Sequence, residues 1–452
     1  MTGILGLLAG LALLIWMALR GINVVFAAVI CSIVVILSNG MPFAQSLSDN
    51  FTFGDLGAFT FAGRFFLLFA AGAIFGRVMG ESHAATSIAL ALVEKLGAQR
   101  ALWIIVIACG LLTYGGVVVF VVIFAIYPLG LRLLKEANIP KRLLCGAVAL
   151  GAGTFTLTAL PGTPSIHNVI PTTVLGTDLF AGAWLGLIGG AIMFALGMLY
   201  LERERKKAAA NGEIFEPAPT DVIPDLGAIA KDRPNAALAM VPLLLVIGTI
   251  LTPRMAGVFG IGESSSIIAF ANAQPILWPS IALVLASIVA AALFPAIRRR
   301  PLAAISEGVQ DSIMPLMATS TVIGFGGVVA KTGGFQTFTD AVANTGLPPL
   351  LSMAGAISVV SGVTGSSSGG LQIFMATMAD KYIAMGIDPE ELHRLVVMAA
   401  GGFDSLPHCG AVIAMLTITG LTHKQAYKDV GMVTVAVPVV ATLICIALAM
   451  IF

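Results

Sequence analysis

Three ionisable residues stand where long apolar runs are interrupted: His167 in TALPGTPSIHN (158–168), and Asp404 and His408 in FDSLPHCG (403–410). Burying such groups in a membrane is costly, so their presence there points to function. Histidine titrates near neutrality and a carboxyl can carry a proton, which makes His167, Asp404 and His408 the candidates for proton coupling. Small polar residues surround them. Pro161, Gly162, Thr163 and Ser165 share the first break, and Ser405 follows Asp404 in the second. Two glycine-rich turns have the same character: TYGG, with Tyr114, Gly115 and Gly116, and TGSSSGG, with Gly365, Ser366, Ser367 and Ser368. Glycine lets backbone approach a ligand closely. A helix starting at such a turn offers free N–H groups and a positive dipole end to a carboxylate. None of the four clusters holds a lysine or arginine. An anion bound there relies on dipoles and hydrogen bonds.

Other polar or small residues have plainer readings. Gly151–Gly153 and the glycines of LIGGAI (187–192) read as close helix packing. His83, His393 and His423 fall in loops or span ends and read as surface residues. Arg77 and Lys331 lie near span ends and read as snorkelling. Asp380 and Lys381 read as solvated. Cys31, Cys109, Cys145 and Cys445 read as small core residues, with Cys409 set apart by its place in a polar break. No metal site or cofactor motif is read from the sequence, and no basic patch suggests nucleic acid.

The elements that position these clusters are membrane helices. Of 452 residues 58% are hydrophobic and 10% charged, with a mean hydropathy of +0.99. Soluble domains carry about 25% charge. The chain reads as an all-α polytopic membrane protein embedded in lipid. The first apolar segment, from Ile4 to Leu19, reads as a retained span. About ten spans are expected, at 4–19, 23–38, 62–80, 143–175, 179–201, 237–251, 276–297, 313–331, 393–419 and 430–452. Two further stretches, 101–134 and 350–385, turn at glycines and read as two spans each or as re-entrant hairpins. The hydrophilic stretch 202–235 reads as a solvated linker between an N-terminal half, 1–201, and a C-terminal half, 236–452.

The halves share punctuation in the same order. Gly76 matches Gly327, Gly115 matches Gly365, Pro140 matches Pro389, Pro161 matches Pro407, and Gly176 matches Gly420. Basic residues then orient the chain. Arg20, Lys95, Arg100, Lys135, Lys141, Arg142, Arg203, Arg205, Lys206, Lys207 and Arg298–Arg300 belong in the cytoplasm by the positive-inside rule. This threading puts the linker inside and both termini outside. The hairpins then enter from opposite sides, so the repeats are inverted. Paired broken helices in inverted halves are a mark of secondary transporters, with the binding site between them.

At these residues the chain resembles the gluconate:proton symporter family of bacterial permeases, within the ion transporter superfamily. The likeness covers nearly the whole chain. It rests on the repeated order of glycine-rich turn, I-P or D-P, and broken helix, on ALPGTPSIHNVIPTTVLGTD, and on MGIDPEELHRLVVMAAGGFDSLPHCGAV. The resemblance implies two inverted halves with paired re-entrant hairpins, a homodimer, a bacterial inner (cytoplasmic) membrane location, and uptake of a sugar acid or hydroxy acid with protons. Pro161, Thr163 and Pro164 match the first break; Asp404, Pro407 and His408 match the second more loosely, since the family order there is closer to His before Asp-Pro. The clusters are poor in polar side chains for a six-carbon polyol acid such as gluconate. That favours a shorter monocarboxylate such as 3-hydroxybutyrate or lactate. Sodium coupling stays open, because carbonyls at the breaks can bind that ion. An intramembrane enzyme is the rival class. No G-x-S-x-G elbow and no H-E-x-x-H is read, and a catalytic centre needs no paired half-sites. A channel is disfavoured because no filter motif appears.

Overall fold

The computed structural model describes residues 2–218, 221, 223, 233–259, 265–343 and 345–451, and no strand occurs among them. Six helices are long and apolar enough to cross a membrane: Ala58–Glu81, Arg142–Ala159, Ala183–Ala210, Ala236–Gly257, Pro301–Ala330 and His423–Ala449. Ser266–Ala273 and Leu277–Leu293 form a seventh candidate, bent by 113°. Five shorter apolar helices, among them Ala101–Tyr114 and Pro349–Thr364, complete the apolar set among the described residues. Two short helices, Ala84–Leu96 and Gly333–Ala343, lie outside the ten expected spans. The first carries Glu94 and Lys95 and the second carries Asp340, and both are short, which hides them from a hydropathy reading.

The order of elements recurs. Ala58–Glu81 is followed by a short helix, a helical hairpin (Ala101–Tyr114 and Val119–Ala137), a broken helix and the long Ala183–Ala210. Pro301–Ala330 is followed by a short helix, a hairpin (Pro349–Thr364 and Ser367–Thr377), a broken helix and the segments from His423 to Ala449. At 1.5 Å per residue, the first arm of the first hairpin is about 21 Å long, short of a ~30 Å hydrocarbon core.

Local chemistry explains the breaks. In the first, Thr154, Thr156 and Thr158 donate their hydroxyls back to carbonyls of the preceding turn. That competition accompanies a widening into a π-turn over Phe155–Ala159. Gly162 then takes a φ of +80°, and Ser165 caps the next helix, Ile166–Leu175. In the second, Asp388 caps Pro389–Phe403, and the chain restarts as Gly410–Thr419. Both restarted helices end on a left-handed glycine, Gly176 at φ 67° and Gly420 at φ 63°.

Two sequence readings change. Arg77 does not snorkel: it pairs with Glu81 (2.6 Å), Glu307 and Asp311 (3.1 Å), the last two on Pro301–Ala330. The stretch 202–235 is not simply a solvated linker. Its first nine residues continue the helix that ends at Ala210. Further on, the Asp221 side chain is buried against Lys141 at 2.6 Å and accepts from the Tyr127 hydroxyl at 2.6 Å. Arg142 reaches Glu213 at 3.0 Å and Asp429 at 2.5 Å. The hydrogen bond from Arg142 holds the Glu213 carboxyl below the usual glutamate range. Residues 219–220, 222 and 224–232 of this stretch lie outside the described residues.

Candidate functional site

Each hairpin turn packs on the break that follows it. At Gly116, φ +95°, a Cβ would meet Pro164 at 2.9 Å; at Gly365, φ +60°, it would meet His408 at 2.8 Å. A side chain is excluded at both by space and by backbone. The two pairs close on one cavity of about 290 Å³. From the turns it is lined by Gly116 and Gly365–Ser368, and from the breaks by Ser165, His167, Asp404, Ser405 and His408. All four sequence clusters therefore contribute. The remaining wall is largely apolar, with Phe69, Val118, Leu283 and Val322.

Within the cavity the halves touch. His167 Nε2 lies 2.7 Å from Ser367 Oγ, and His167 Nδ1 lies 2.9 Å from Ser165 Oγ. Ser367 also faces the Asp404 carboxyl, which accepts from Ser405 at 2.8 Å. His408 Nε2 sits 2.9 Å from the Gly362 carbonyl. Ser366 caps the helix Ser367–Thr377 by accepting from Gly369 N, so that helix opens its N-terminal end at the cavity. Among the described lining residues there is no lysine or arginine. The arrangement offers hydroxyls, a helix N-terminus and one carboxyl to a small polar group, beside an apolar wall.

Five predicted residues stand behind the cavity. Tyr114 donates its hydroxyl to the Pro161 carbonyl at 2.8 Å. Gly115 packs against Leu243, and Gly162 against Phe180. The Thr163 carbonyl accepts from Asn168 at 3.0 Å. These residues support the break and do not line the space.

Two histidines read as surface residues are structural. His393 is wholly buried between Asn168 Oδ1 (3.0 Å) and Thr177 Oγ1 (2.7 Å). His423 is half-buried and reaches the Pro407 carbonyl at 2.7 Å. His83 is exposed, as expected. The cysteines are all buried, and Cys409 alone of the five lines the cavity. Gly151 packs backbone against Val106, in keeping with its packing reading. One reading is corrected by the letters themselves: Gly365–Gly369 does fit G-x-S-x-G. That pattern marks a nucleophile where a strand turns into a helix; here it joins two helices.

The fold and the sequence have known counterparts. The Alcanivorax borkumensis YdaH transporter, whose crystal structure is described as having an unusual topology, is similar in fold with a TM-score of 0.56 at 13% identity, over 86% of each chain. An uncharacterized transporter of Bacillus subtilis (strain 168), YxjC, is 40% identical over 456 residues, which is 95% of both chains. The description "GntP family permease" matches residues 2–451; the chain belongs to the GntP permease family and is a membrane transporter, not an enzyme.

Proposed function

We propose that this permease imports a small hydroxy monocarboxylate together with protons, by alternating access between two inverted halves, 1–201 and 236–452. The candidate substrates are 3-hydroxybutyrate, lactate and, at the large end, a sugar acid such as gluconate. One observation carries the reading. Both turns and both breaks meet at a cavity holding Ser366–Ser368, a helix N-terminus, Asp404 and no lysine or arginine among the described lining residues. An anion entering beside an unpaired carboxylate is repelled; a proton on that site removes the repulsion. The charge arithmetic favours one anion with one proton and disfavours dicarboxylates. The apolar wall suits a short alkyl chain better than a polyol. A volume of about 290 Å³ sits at the low end of small-molecule sites. The same reading puts the linker in the cytoplasm, both termini outside, and a homodimer in the bacterial inner membrane.

Counterflow tests it. Proteoliposomes preloaded with unlabelled 3-hydroxybutyrate, lactate or gluconate should accumulate the labelled acid, and an inward proton gradient should drive net uptake. Uptake that follows a sodium gradient and ignores pH would replace the proton by sodium. No exchange of any of the three acids would overturn the substrate class.

A further inference from the structure

Arg394 lies on Pro389–Phe403, 0% exposed, among apolar helices. Such a charge is expensive without a partner. Among the described residues no carboxylate lies within ion-pair distance of it, and its Nη1 has no hydrogen-bond partner. Instead the guanidinium crosses into the other half. Nε and Nη2 donate to the Ala181 carbonyl at 3.0 and 2.9 Å, and Nη2 also donates to the Leu179 carbonyl at 3.2 Å. Space has been left for it. A Cβ at Gly182 would meet Arg394 Cβ at 2.6 Å, and one at Gly186 would meet its Cδ at 3.0 Å.

The Leu179 carbonyl is a hub. It also accepts from Gly162 N in the first break and from Asn168 Nδ2, both at 2.8 Å. Asn168 spends its second N–H on the Thr163 carbonyl at 3.0 Å. Its Oδ1 must then accept, so His393 Nε2 donates to it and His393 Nδ1 accepts from Thr177. Arg394 and His393, neighbours on one helix of the second half, thus grip both ends of the loop 177–181. That loop holds the break at Gly162 and the helix whose first turn carries His167. His167 in turn meets Ser367 across the cavity.

We propose that Arg394 is a positioning residue for transport: by clamping the 177–181 loop it fixes the first break and so aims His167 at Ser367. A guanidinium suits this task because its planar fork bridges two carbonyls at once. The ligand arm of the test rests on the carboxylate reading given above, and a second arm does not. In purified protein without substrate, Arg394→Met should raise amide hydrogen exchange at least tenfold over 160–182, with the second break, 404–409, unchanged. In counterflow, Arg394→Met should weaken apparent affinity about tenfold, and adding it to His167→Gln should weaken affinity by less than twofold further. If Arg394→Met does not accumulate in the membrane, Thr177→Val, which unties His393 from the same loop, is read in the same two ways. Unchanged exchange over 160–182, equal loosening of both breaks, or additive losses with His167→Gln would each overturn the proposal. A wild-type protein that exchanges none of the acids sinks the carboxylate reading alone, since the exchange arm still decides the clamp.

Discussion

Both breaks leave a proline carbonyl outside any helix, and a side chain meets each: Tyr114 donates to Pro161 and His423 to Pro407. Beyond that the two part ways. The first break is held from across the molecule, through the Leu179 carbonyl and Arg394 of the second half. The second is held from within its own half, by His423 and by Tyr427, which donates to the Ser405 carbonyl at 3.1 Å. It is also the second break that carries Asp404, the one carboxyl among the described residues lining the cavity. Matched punctuation has therefore produced two unlike devices. One is anchored across the halves and presents a hydroxyl and an imidazole, Ser165 and His167, to the cavity. The other is tied locally and presents a carboxyl and a second imidazole, Asp404 and His408.

The largest expected effect tests that division. Asp404→Asn should abolish accumulation driven by a pH gradient while counterflow remains measurable, whereas His167→Gln and His408→Gln should keep at least part of the gradient-driven uptake. Accumulation that survives Asp404→Asn and fails with His167→Gln, measured in the same proteoliposomes, would move the proton site to the first break. Next come the turns. Ser366 caps a helix at the cavity, while Thr113 spends its hydroxyl on the Cys109 carbonyl of its own helix. Ser366→Ala or Ser367→Ala should weaken apparent affinity by roughly tenfold, the worth of one charge-assisted hydrogen bond, and Thr113→Ala by less. Normal affinity in both serine variants with a failing Thr113→Ala would place the carboxylate at the first turn instead. The smallest effect concerns the carbonyl donors. Tyr114→Phe and Tyr427→Phe each remove one hydroxyl from a break carbonyl, at about 1 kcal/mol net. Each should lower the melting temperature of the detergent-solubilised protein by about 1 °C. An unchanged midpoint in either would show that its break needs no side-chain support.

Much of the site was legible because polarity inside an apolar run is conspicuous. Each of the four short clusters picked out by composition supplies residues to one cavity. What composition could not separate is the front of a break from its back. Ser165 and His167 face the cavity, yet Pro161, Gly162 and Thr163, two to four residues before Ser165, lie behind it, against Tyr114, Phe180 and Asn168 in turn. Helical spans were legible where hydropathy is high; Ala84–Leu96 and Gly333–Ala343 were lost because short length and polar residues, Glu94 and Lys95 in one and Asp340 in the other, mimic loops. His393 reads as a surface residue, and Arg394 does not stand out, for a related reason. They follow Glu390 and Glu391 at a helix start, which looks solvated. Nothing local reveals that a loop some 210 positions earlier covers them.

The cysteines bear on how this protein can be probed. Cys31, Cys109, Cys145 and Cys445 are 0% exposed, and Cys409 is 6% exposed on the cavity wall. The natural chain should therefore be nearly silent to bulky, membrane-impermeant thiol reagents. A single cysteine at the exposed Ala209, and not at its buried neighbour Ala208, supplies a water-facing label without a cysteine-free background. Cys409 offers the opposite vantage: on the cavity wall, it is the native thiol that only a reagent small enough to enter the cavity could reach.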